Sequence, residues 1–132
     1  MTGATDLPFV DPAYPSSETT GQIIAAALAV HRTLGPGFEE VFYQRALAME
    51  LPGFGLEFAR EVWIDVCYKG HILGRKRVDF VIEDVMLEIK ARGQLEPVHH
   101  VQALSYLKAS GYKVGLLINF GAARLEIKRL AN

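Results

Sequence analysis

Asp79, Glu88 and Lys90 are the residues in this 132-residue chain whose types and spacing point most directly to chemistry. They fall in the stretch from Arg77 to Lys90. Two runs rich in β-branched and apolar residues, Val78 to Ile82 and Val85 to Lys90, flank a polar turn signal at Glu83-Asp84. A loop of two or four residues centred on that pair would set Asp79 opposite Glu88 and Arg77 opposite Lys90. Strand side chains alternate faces. Val78, Phe80 and Ile82 would then join Val85, Leu87 and Ile89 on an apolar face, leaving Arg77, Asp79, Glu88 and Lys90 on the other. Opposed β-carbons lie about 4.5–5.5 Å apart, where like charges are destabilising. Two half-buried carboxylates therefore need a compensating charge. A divalent cation is one solution; hard oxygen ligands favour Mg²⁺ or Mn²⁺. The competing reading is a solvated polar sheet face with a chance acid pair, since structural ion-pair networks also produce such clusters. Glu-Asp is not a favoured two-residue hairpin turn, so a three-residue loop with a different opposition is also open.

The elements that must position these residues can be read in order. Residues 1–18 hold three of the six prolines and no helical periodicity, and are expected to form a flexible arm ahead of a single domain over 19–132. Thr19 or Thr20 is a candidate cap for a first helix with a stripe of Ile23, Ala27, Val30 or His31, and Leu34, stopped by Gly35-Pro36-Gly37. His31, near the helix C-terminus, is read as structural. A second helix is expected from Phe38 to Leu51, with Phe38, Val41, Phe42, Ala46 and Met49 as its apolar stripe. Glu40 and Tyr43 on an adjacent face would project together towards one site, although a lone Glu in a first turn more simply serves the helix dipole. Glu57 to Tyr68 reads as a strand with Val62, Ile64 and Val66 on one face. Lys69-Gly70 turns into His71 to Ile82, a longer strand or a strand with a kink at Gly74. Arg75-Lys76-Arg77 could meet phosphate or form a solvated edge. Pro97 suits the first turn of a third helix over Val98 to Ser110, with Val101, Leu104 and Leu107 buried. Gln102 and Tyr106 share a helix face. Neighbouring His99 and His100 diverge too far to bind one metal. Two strands follow, Lys113 to Phe120 and Arg124 to Leu130. The order α-α-β-β-β-α-β-β predicts an α/β (α+β) mixed β-sheet flanked by α-helices.

Composition narrows the class. Half the residues are hydrophobic, enough for one real core. The single cysteine, Cys67, excludes an internal disulfide and a cysteine-rich zinc site, and suits a cytoplasmic protein. No signal peptide and no apolar run long enough to span a bilayer are visible. The net charge of −1 is unevenly spread. Residues 1–61 carry eight acids and three bases, and residues 62–132 carry seven acids and eleven bases. A modest basic surface in the second half is thus open to nucleic acid, beside the plainer reading of an ordinary mixed surface.

Gly37-Phe38-Glu39-Glu40-Val41-Phe42-Tyr43 fits the pattern Gly-x-x-Glu-x-x-Tyr. Together with Asp79-Phe80, Glu88-Ile89-Lys90, Gln102-Ala103-Leu104-Ser105-Tyr106 and Gly115 to Phe120, it resembles the GxxExxY family, a compact branch of the PD-(D/E)XK nuclease superfamily. The likeness runs from about Ile23 to Arg129. It implies a restriction-endonuclease-like core and a Mg²⁺- or Mn²⁺-dependent nuclease. It implies that Asp79, Glu88 and the Ile89 backbone carbonyl hold metal, that Glu40 contacts it directly or through water, and that Lys90 is the catalytic lysine. Gln102 and Tyr106 would orient the site and the nucleic-acid backbone.

The resulting expectation is a phosphodiester hydrolase acting on nucleic acid, DNA before RNA. The alternative is a catalytically weak or silent nucleic-acid-binding protein, or a partner subunit of a defence, repair or mobile-element system. A homodimer or a protein partner is open in either case, and no membrane is expected.

Overall fold

In a computed structural model, which describes residues 16–132, the centre of the molecule is β3 (Val85–Lys90), buried along nearly its whole length. Its neighbours are β2 (His71–Ile82), antiparallel, and β4 (Val114–Asn119), parallel. β1 (Phe58–Tyr68) and β5 (Glu126–Ala131) pair antiparallel at the two edges, giving the order β1-β2-β3-β4-β5. Helices α1 (Ser17–Leu34) and α2 (Glu40–Glu50) cover one face, and α3 (Pro97–Ser110) the other. This is the mixed sheet with flanking helices expected of a restriction-endonuclease-like core. A short 3-10 turn, Leu51–Phe54, follows α2.

Two cores follow from the alternation of β3. Val85, Leu87 and Ile89 pack with Ile23, Ala27, Tyr43 and Leu47 under α1 and α2. Met86 packs with Leu117, Ala103 and Leu107 under α3. α1 begins at Ser17, so Thr19 and Thr20 lie inside it and do not cap it; the adjoining residue is Ser16. The rest of the expected arm, residues 1–15, lies outside the described residues. His31 is structural: its Nε2 lies 2.9 Å from the Ala122 carbonyl, which requires the nitrogen to donate.

Two helix faces differ from the sequence reading. On α2 the buried residues are Tyr43 and Leu47, whereas Phe38, Val41 and Phe42 are exposed and Met49 is 82% exposed. On α3 Leu107 is buried and Leu104 packs on the core as expected, but Val101 is 62% exposed and His99 and Ala103 are buried instead. Both helices carry apolar residues on more than one face, so local periodicity does not select the face that meets the sheet. His99 also closes the start of α3, its Nδ1 accepting the Glu96 N–H at 2.9 Å.

The loop after β3 is clamped to the end of β4. Asn119 is fully buried; its Oδ1 accepts the Arg92 N–H at 2.8 Å, and its Nδ2 donates to the Arg92 carbonyl and to Glu126 Oε1. Glu126 Oε1 also accepts the Leu95 N–H. Gly121 lies so close to Ala91 and Arg92 that an added Cβ would overlap their backbone atoms. Gly121→Ala must therefore push this loop outward. The expected outcome is a clear fall in melting temperature with weakened protection of the 91–96 amides in hydrogen exchange, a loss of stability in the range of about 1–3 kcal/mol typical of overpacking. Wild-type stability and protection would show that the clamp is dispensable.

Candidate active site

The β2–β3 ladder pairs Phe80 with Leu87, Val81 with Met86 and Ile82 with Val85, which makes Glu83-Asp84 a two-residue turn, with Glu83 at φ 54°. This is the register that opposes Asp79 to Glu88. The ladder stops there, and side chains replace it. The Asp79 N–H donates to Glu88 Oε2 at 2.8 Å, and the Ile89 N–H donates to Asp79 Oδ2 at 2.7 Å. The two acids thus interlock across the point where β2 leaves β3.

The cause of that departure is a bend in the β1–β2 ribbon. Phe80 and Ile82 belong to the core under α1 and α2, yet Val78, two residues earlier, belongs to the core under α3. Residues two apart on a regular strand share a face, so the ribbon changes faces around Asp79. Opposite, Glu61 takes φ 54° and drops out of the β1–β2 register. The expectation that Val78 shares the Phe80 face, and that Arg77 faces Lys90, is corrected by this bend. Arg77 pairs instead with Trp63 and forms a 3.7 Å ion pair with Glu61.

The electrostatics follow from burial. Glu88 is buried and its carboxyl is pushed up to about 8, first by desolvation, then by the Asp79 charge, against the Asp79 N–H bond and Lys90. Asp79 is also raised, chiefly by desolvation and further by Glu40, while the Ile89 N–H, Lys90 and Arg60 pull it down. Glu40, on the first turn of α2, therefore acts on both carboxylates from the helix layer. Lys90 leaves the sheet on the same side as Glu88, because both alternate with Leu87 and Ile89.

Two residues missed in the sequence join this group. Gln44 Nε2 donates to Asp79 Oδ1 at 3.2 Å, one helical turn after Glu40; the four-residue spacing was the available signal. Arg60, paired with Phe80 in β1, holds its guanidinium carbon 5.4 Å from the centre of the Phe80 ring and helps to lower Asp79. Nothing local marked it.

Tyr43 does not project into the site beside Glu40. It is fully buried, stacks on Phe120 at 4.9 Å, donates to the Gly35 carbonyl and accepts the Phe38 N–H. Its role is to fix the Gly35–Phe38 loop and so the start of α2, which carries Glu40. Gln102 is exposed; Tyr106 is half-buried and packs on the α3-side core. Among the described residues neither hydrogen-bonds to the carboxylates. Tyr106→Phe keeps the ring and deletes the hydroxyl. If the hydroxyl orients a substrate, cleavage falls several-fold with the melting temperature unchanged; full activity would class Tyr106 with the packing residues.

The donor set suits a hard cation. Asp79 and Glu88 supply carboxylate oxygens. The Ile89 carbonyl lies on the β2 side, because a strand residue directs its N–H and C=O to the same neighbour and the Ile89 N–H goes to Asp79. Among the described residues no three His, Cys, Asp or Glu converge closely enough to hold a metal by themselves. Glu40 thus completes the charge of the site without forming a closed cage with the other two acids. Mg²⁺ typically takes one or two carboxylates and keeps several waters, so the residues fit.

Comparison with known proteins bears on the superfamily and the fold. The sequence model of the PD-(D/E)XK nuclease superfamily matches residues 17–130. No curated protein matches. Among solved structures, the crystal structure of SSO0001 superposes with a TM-score of 0.52 at 20% identity, covering 88% of this chain and 58% of that one. At that identity the likeness concerns the fold, and this chain spans little more than half the length of its structural neighbour.

Proposed function

The chain belongs to the PD-(D/E)XK nuclease superfamily, and from that premise we propose that it is a metal-dependent nuclease hydrolysing phosphodiester bonds of nucleic acid, with DNA as the substrate. Gly37, Glu40 and Tyr43 support placing it in the GxxExxY branch. The observation that carries the reading is the interlocked Asp79–Glu88 pair, with Lys90 two residues on, at the end of the β2–β3 ladder.

Asp79, Glu88 and the Ile89 carbonyl would hold Mg²⁺ or Mn²⁺, with Glu40 adding negative charge from α2. When bound, such an ion lowers the pKa of water and neutralises charge on the phosphoryl oxygens. Lys90 offers an ammonium where charge develops during hydrolysis. Gln44 holds Asp79 from the helix side. Gln102 and Tyr106 are assigned to orienting the nucleic-acid backbone from α3. No helix is long and apolar enough to cross a membrane among the described residues, and the lone cysteine fits a cytoplasmic location.

One observation favours a second reading, a silent nucleic-acid-binding or partner subunit. Both Asp79 oxygens and one of Glu88 already accept hydrogen bonds from the protein, so three of the four carboxylate oxygens are engaged without a metal. The deciding experiment incubates the protein with single- and double-stranded DNA and RNA in Mg²⁺, Mn²⁺ or EDTA. Cleavage that requires the metal supports the nuclease; intact substrates throughout would favour the second reading.

A further inference from the structure

The β1–β2 ribbon carries an exposed tryptophan flanked by arginines on the side away from α3. Val62 and Ile64 pack in the α3-side core, so Trp63 points to the opposite face. That is the face on which Arg60 lies over Phe80 beside Asp79. The two positions are three residues apart, or about 10 Å at the strand rise. Trp63 is 60% exposed. Arg77, its cross-strand partner, holds its guanidinium carbon 5.6 Å from the indole, which supports one face of the ring and leaves the other to solvent. Further out, Arg75 bonds Asp65 at 2.9 Å.

None of these contacts immobilises the cations. The Arg75 and Arg77 ion pairs are solvent-exposed, and such pairs are worth about 0–1 kcal/mol, so a phosphate can displace them. The Nε of Arg60 is buried with no hydrogen-bond partner, which leaves a donor unused beside the acids. Arginines placed to serve phosphates, on either side of an exposed ring that can stack on a base, suit a single strand; a paired base offers no free face for stacking.

We propose that this ribbon is a docking surface for single-stranded nucleic acid, with a base stacked on Trp63, adjacent phosphates on Arg77 and Arg75, and the phosphate entering the site met by Arg60. The site it leads to is the one read above as a nuclease centre. Binding is measured without metal, so the two readings fail separately.

Trp63 is the chain's one tryptophan, so its fluorescence reports the contact directly. A short dT oligomer titrated in EDTA should quench it to saturation, with a U oligomer as a second arm; quenching by either supports the platform. The same sequence paired into a blunt duplex should quench much less. Anisotropy of a labelled dT oligomer should show Trp63→Ala binding about tenfold more weakly and Trp63→Phe retaining most affinity. Arg77→Ala should weaken binding and flatten its salt dependence by about one phosphate contact. Absence of quenching by both oligomers, equal quenching by the duplex, or wild-type affinity in folded Trp63→Ala would each overturn the proposal. Metal-dependent cleavage in that event leaves the nuclease reading standing. Quenching without cleavage of any substrate leaves the platform and removes the nuclease.

Discussion

Lys90→Met is expected to leave the protein folded and able to bind Mn²⁺, while cleavage falls about 10²–10³-fold, the usual loss when one preorganised charged group at a developing charge is removed. Lys90 is only half-buried, and its backbone carbonyl accepts the Phe120 N–H whatever the side chain. Methionine keeps an unbranched apolar stem, so the packing change is small. Lys90 pulls both Asp79 and Glu88 down and shares the sheet side of Glu88, so a phosphate held at those acids would lie within its reach. A simple binding surface does not need a cation at this position, since phosphate affinity is spread over many contacts. Wild-type cleavage in the variant would refute the catalytic assignment. Equal, EDTA-insensitive background rates in both proteins would remove the nuclease reading altogether.

Metal-free protein should lose stability as pH rises from about 4.5 to about 8, and Mn²⁺ or Mg²⁺ should restore it at the upper end. The ordinary carboxyl value for Glu88 is 4.5, and burial beside Asp79 lifts it to about 8 in the folded state. Between those values the folded protein holds a proton that the unfolded chain releases. The native state then binds more protons, so stability falls with increasing pH. The slope from this group is at most about 1.4 kcal/mol per pH unit; Asp79, shifted in the same direction, adds to it at the acidic end. A divalent cation held by the pair would prefer its ionised form and would stabilise the native state by mass action. The check is a melting series in EDTA and in Mn²⁺ across this range, repeated with Glu88→Gln and Asp79→Ala. The first variant should flatten the metal-free profile, and the second should abolish most of the metal effect. A flat wild-type profile, or undiminished metal stabilisation in Asp79→Ala, would count decisively against the site.

By itself the sequence determined the order of elements and offered the opposition of Asp79 to Glu88 as one of the open registers, which the β2–β3 ladder then selected. Both depend on local signals, namely period-two alternation, the break at Glu83-Asp84, Gly35-Pro36-Gly37, and Pro97 at a helix start. It also marked the acids, Lys90 and the α2 and α3 motifs, because residue identity and helical spacing are local. The face of α2, and the place of Val101 on α3, were decided only by tertiary structure, whereas Leu104 and Leu107 meet the core as their spacing suggests. Phe38, Val41, Phe42 and Val101 are as apolar as the residues that replaced them in the core, and only the approach of the sheet separates the two sets. The bend at Glu61 and Asp79 was likewise invisible, since a left-handed Glu is not announced by its neighbours. Gln44, Arg60 and the buried Tyr43 acquired their roles through partners 35, 20 and 77 residues away, at Asp79, Phe80 and Phe120. Such contacts exist only once the packing of β1, α2 and β4 has brought distant parts of the chain together, and no spacing along the chain encodes them.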